Sequence, residues 1–139
     1  MTPDDWTLLA EGSRALVHHA SLLMGVLTDP ARATDRRAQA PLAQQAADSV
    51  AALLAALRRA PELTAHLRSI QKFEGALAAW RRAIVDGSAL VSRYQTALLQ
   101  QAAQVVTAGL HVAALAASES ARELAPRYDT PPPPEPPTP

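Results

Sequence analysis

Residues Leu63 to Leu115 read LTAHLRSIQKFEGALAAWRRAIVDGSALVSRYQTALLQQAAQVVTAGLHVAAL, and the apolar phase of this run decides the fold. Leu63, His66, Ile70, Phe73, Leu77, Trp80, Ile84, Gly87, Val91, Tyr94, Leu98, Gln101, Val105, Ala108, Val112 and Leu115 alternate steps of three and four. That spacing is the seam of a helix packed lengthwise against other helices. One short segment interrupts the run, Asp86-Gly87-Ser88. Glycine costs about 1 kcal/mol relative to alanine inside a helix, and Ser88 suits an N-cap. A reversal is therefore expected here. The alternative fuses both halves into one rod of about sixty residues, about 95 Å long, a length rare in compact domains.

A turn centred on Gly87 makes residues equally distant from it face each other. Trp80 is expected to meet Tyr94, Leu77 to meet Leu98 or Ala97, Ile70 to meet Val105, and Leu63 to meet Val112. Phe73 opposite Gln101 is the polar exception.

Outward from this run, the same reading gives two more helices. Thr2 can cap a first helix from Pro3 to about Thr28, with Pro3 in its first turn and Asp5 at the third position. Its seam is Trp6, Leu9, Ser13, Leu16, Ala20, Leu23 and Leu27. Columns on either side, Ala10/Val17/Met24 and Leu8/Ala15/Leu22, are apolar too, which widens the apolar arc to about 200°, twice that of a one-sided surface helix. Residues 31 to 40 lack a seam and read as a polar connection. Pro41 is expected to start a second helix that ends near Arg59, before Pro61. The fold class is all-α: an antiparallel four-helix bundle with helices at about 3–28, 41–59, 61–85 and 88–125, followed by a proline-rich tail. Pro126 is expected to stop the last helix. The domain then spans 1–126 and the tail 127–139, extended or disordered.

Composition agrees with a single domain. The chain has 139 residues, is 4% aromatic and carries no cysteine, so disulfide and thiolate chemistry are excluded. Thirteen basic residues balance thirteen acidic ones, which removes the electrostatic case for nucleic acid or an anionic membrane. The acidic amino terminus does not resemble a secretory signal, and no apolar stretch is expected to span a membrane. A cytoplasmic location is the expectation.

Candidate sites are few. His66 and His111 lie within about one helical turn of each other across the reversal, a placement that suits a metal, but no glutamate stands three residues before a histidine as in bundle metal sites. His66 also invites a phosphotransfer reading, although its neighbours Ala65-His66-Leu67-Arg68-Ser69 match such motifs loosely and a seam position favours burial. Arg36-Arg37, Arg58-Arg59 and Arg81-Arg82 suit solvated or dipole-matched roles. No phosphate loop, nucleophile elbow or zinc spacing is present, so neither an enzyme nor a cofactor is expected.

The segment Gln71 to Ala117, with patches such as Gln95-Thr96-Ala97-Leu98-Leu99-Gln100-Gln101-Ala102-Ala103, resembles the phasins in composition. These are small alanine- and glutamine-rich helical proteins that coat polyhydroxyalkanoate granules. The resemblance implies apolar helix faces covering a hydrophobic surface, and carries no residue roles. The reading from the residues is broader: a non-enzymatic interaction or scaffold protein that self-associates or binds a protein partner. Trp6, Leu8, Leu22 and Met24 on the first helix and Leu99, Val106 and Leu110 on the last are the expected interface.

Overall fold

A computed structural model describes residues 2–128, with side chains through residue 122. Four helices account for the fold: α1 (Pro3–Thr28), α2 (Arg36–Leu57), α3 (Thr64–Val85) and α4 (Val91–Tyr128), with a 3₁₀ turn at Pro61–Leu63 leading into α3. Each helix packs on its sequence neighbours and α4 closes against α1, the most extensive pairing, while the α2–α3 seam is the thinnest. Thr7 reaches Ser120 and Gly109 approaches Val17, so α1 and α4 run antiparallel. The same opposed numbering relates His19 to Ser49, Gln44 to Arg81 and Trp80 to Gln95. The result is an up-down-up-down bundle around one continuous core.

The start of α1 follows from its first residues. Asp5 N–H donates to Thr2 Oγ1 (3.2 Å) and Thr2 N–H donates to Asp5 Oδ2 (3.0 Å), a reciprocal capping box. The bond from the Thr2 backbone, reinforced by its hydroxyl, holds the Asp5 carboxyl below its ordinary range.

The reversal at Gly87 is present. Gly87 has φ +63°, Ser88 N–H donates to Ala83 O (2.9 Å) and Gly87 N–H donates to Ile84 O (3.1 Å). These two bonds define a Schellman end, which satisfies carbonyls that α3 would otherwise leave open. Ser88 does not cap α4 directly. Its hydroxyl accepts from Leu90 N–H (3.1 Å), and α4 begins three residues later, at Val91. Trp80 bonds Gln95, in the register expected for Ile70 with Val105 and Leu63 with Val112, and the expected partner Tyr94, one residue earlier, lies exposed. Leu77 and Leu98, Ile70 and Val105, and Leu63 and Val112 are all buried in the common core, as expected. Phe73 is buried, whereas Gln101 is half-buried and its Oε1 lacks a partner among the described residues.

Besides the later start of α4, three boundaries differ from the sequence reading. α2 begins at Arg36 rather than Pro41, because Asp35 caps it by accepting from Ala38 N–H (3.1 Å), and Pro41 sits inside the helix. It ends at Leu57, two residues early. α4 passes Pro126 and ends at Tyr128, so the proline falls in its last turn instead of stopping the helix. The expected tail therefore loses Arg127 and Tyr128 to the helix, and its remainder, 129–139, lies outside the described residues.

Small residues set the α1–α4 distance. A Cβ added at buried Gly109 would lie 2.7 Å from Val17 Cγ2 and 3.4 Å from Ser13 O. Valine is stiff at χ1 and the carbonyl belongs to a helix, so neither yields easily. Gly109→Ala is expected to destabilise by about 1–2 kcal/mol despite its higher helix propensity. Gly75 has nothing within 4 Å of its added Cβ. Gly75→Ala is expected to stabilise by about 0.5–1 kcal/mol. Urea denaturation of both variants checks the opposite signs.

Candidate functional site

Once the core is filled, the apolar surplus falls into three places. On α1, Leu8 and Leu22 are 63% and 41% exposed, and Ala15 stands midway between them, giving one stripe of seven-residue steps. Gly12 near Leu53 and His19 bonded to Ser49 put this stripe along the margin with α2. On α4, Leu99 and Val106 pack half-buried against the core, and Leu110 continues their line at 53% exposure. Trp6 is 4% exposed and Met24 is half-buried against the core, so Leu8 and Leu22 are the large exposed apolar side chains of α1. Glu11, Arg14 and His18 form a polar crest on the exposed side of α1.

The third place was not singled out by periodicity. Val85, 85% exposed, Leu90 and Tyr94 stand around the α3–α4 turn. Tyr94, with Arg82, Asp86 and Ser88, edges a shallow groove of about 390 Å³ floored by Gly75, Ala78, Ala79 and Ala83, whereas Val85 lines a separate cleft on the Trp80 side. The floor is made of small side chains because α3 presents them at three- and four-residue steps on one face.

A polar cluster braces the same end. Gln39 is buried at 1% exposure, with Nε2 donating to Arg32 O and Ala33 O, both at 3.0 Å. Arg36 Nη1 donates to Gln39 Oε1 (2.8 Å), Ala33 O (3.2 Å) and Gln95 Oε1 (3.2 Å). Trp80 Nε1–H shares that last acceptor at 3.3 Å, and the Arg36 guanidinium lies 5.8 Å from the indole centroid, within cation–π range. Carbonyl dipoles and an aromatic face meet this charge. Among the described residues, the one ion pair lies elsewhere, between Arg122 and Glu119. A cleft of about 200 Å³ opens beside the cluster, between Arg36, Gln39, Ala43, Trp80, Arg81 and Ile84. The sequence reading missed this cluster; its signal was a glutamine and an arginine in helical register just after a capping aspartate.

The structure brings His66 and His111 together, with ring centroids 5.8 Å apart and planes at 68°. His66 is half-buried and His111 exposed. Of the basic pairs, Arg36 belongs to the cluster above, Arg81 Nη2 donates to Gln44 Oε1 (2.8 Å), and Arg37, Arg58, Arg59 and Arg82 are exposed.

α4 revises one expectation. Between Val91 and Arg122 it is long and apolar enough to cross a membrane by length and composition, with a window of mean hydropathy 1.2. Leucine, valine and alanine carry that value, and 39% of the window is buried inside the bundle.

No family model matches the chain, and no curated protein or solved structure matches it at a significant level.

Replacing Gln39 with leucine removes three hydrogen bonds from a buried site, leaving Arg32 O with only the Asp35 N–H and Ala33 O with only Arg36 Nη1. Gln39→Leu is expected to cost about 2 kcal/mol or more, read as a lowered thermal midpoint with unchanged helix content at low temperature.

Proposed function

We propose that this chain is a non-enzymatic interaction module that associates with a second copy of itself through apolar surface left outside its core. The observation that carries the reading is the exposure of Val85, Leu90 and Tyr94 around the α3–α4 turn, with Tyr94 edging a groove of small side chains on one side and Val85 lining the cleft beside Arg36 and Trp80 on the other. Single exposed leucines are ordinary on any soluble protein; large side chains collected beside a concave floor are what an interface uses. The stripes of Leu8 with Leu22 and of Leu110 extend the surface available for contact.

Sedimentation of the native chain is expected to show reversible, concentration-dependent association. The double variant Val85→Ser/Leu90→Ser is expected to sediment as a monomer with native helicity, because exposed positions carry little folding stability. A native chain that stays monomeric at every accessible concentration rules the reading out.

A coat on hydrophobic granules, as the phasin resemblance implies, is the second reading. The apolar length of α4, with Leu110 and Leu115 exposed on it, favours this version. It requires the purified chain to adsorb to polyhydroxyalkanoate particles without another protein, with weaker adsorption for Leu110→Ser/Leu115→Ser. Recovery of the native chain wholly in the particle-free supernatant removes it.

A further inference from the structure

We propose that His66 and His111 form a two-histidine site for a divalent transition-metal ion of the zinc, copper or nickel kind. Imidazole suits these ions, and two rings on adjacent antiparallel helices offer nitrogens from fixed backbone positions. Leu63 and Ile70 flank His66, Ala108 and Val112 flank His111, and all four are buried, so the helices cannot drift apart without opening the core. An ion about 2.0–2.1 Å from a ring nitrogen lies about 3.2 Å from that ring's centroid, which puts two centroids about 5.2 Å apart at the tetrahedral angle. The observed 5.8 Å is close to that value, and side-chain rotation closes the difference.

The other histidine pair shows why proximity alone is insufficient. His18 and His19 have centroids 5.5 Å apart, but adjacent helical residues project about 100° from each other. His19 Nδ1 is also engaged with Ser49 Oγ, the one imidazole hydrogen bond among the described residues. Among the described residues, no hydrogen bond engages a ring nitrogen of His66 or His111. Among the described residues no third histidine, cysteine or carboxylate joins them, so the ion keeps open positions for water or a donor from another molecule. This site is independent of the association surface at the α3–α4 turn.

Calorimetric titration of the tag-free chain with zinc chloride tests the assignment. One saturable ion per chain is expected, lost in His66→Ala and in His111→Ala, retained in the double variant His18→Ala/His19→Ala, and released by acid because the ligating imidazoles must be neutral. Absence of a saturable step in the native chain, or its survival in both single variants, overturns the proposal. Copper(II) added to the native protein gives a readout that needs no substitution: selective broadening of the His66 and His111 imidazole resonances is expected. Uniform broadening of all four histidines contradicts the site.

Discussion

The carbonyl of Ser13 lies 3.4 Å from where a side chain at residue 109 would begin, and Val17 is closer still. This close approach lets α4 lie against α1 over most of its length, and the other helices are placed by that pairing. α2 hangs from α1, α3 hangs from α4, and α2 and α3 meet only along the thinnest seam. Small buried residues, Ala10, Ser13 and Ala20 on α1 and Ala102, Ala113 and Ala116 on α4, make the approach tolerable. Ser13 adds no unmet polar group, since its hydroxyl donates to Leu9 O at 2.8 Å. The large side chains occupy other positions, with Trp6 near the start of α1 and Trp80 near the end of α3, at opposite ends of the bundle.

The seam and its reversal were legible because both rest on local rules. Three-and-four spacing marks a buried helix face, and a glycine after an aspartate offers the positive φ that ends one. The register was legible only to within a residue, since five residues separate α3 from α4 and the turn's own bonds decide where α4 begins. The α4 seam also drifts from the spacing read in the sequence. Burial follows Leu98, Ala102, Val105, Gly109, Val112 and Ala116, so Ala102 replaces Gln101 and Ala116 replaces Leu115. A straight helix turns every 3.6 residues rather than 3.5, and over five turns the difference moves the buried line by about half a position, toward the later residue of each pair.

Polar side chains defeated the reading where apolar ones did not. Residues 36 to 40 show no apolar seam, yet they form the first turn of α2, because Asp35 caps it and Gln39 turns inward onto two loop carbonyls. Hydropathy cannot register a glutamine whose burial is compensated by hydrogen bonds. The expected interface was distorted for a related reason. Trp6 has the same apolarity whether it faces a core or a partner, and the choice depends on where α4 lies, which the pattern of α1 does not contain. The histidine pair was legible because it depended only on the reversal.

The buried cluster and the exposed turn occupy the same end of the bundle, and the two are physically related. Arg36, Gln39, Gln95 and Trp80 tie the α1–α2 connection to α2, α3 and α4 through hydrogen bonds that share acceptors, so movement of one element strains the others. Val85, Leu90 and Tyr94 stand on elements held by these bonds. A contact surface held in one conformation before binding loses less conformational entropy when a partner arrives. An apolar turn on an unbraced helix end would fray and collapse onto its own groove. If the proposed association holds, the same bonds that contribute to folding would also keep these apolar side chains in place for contact.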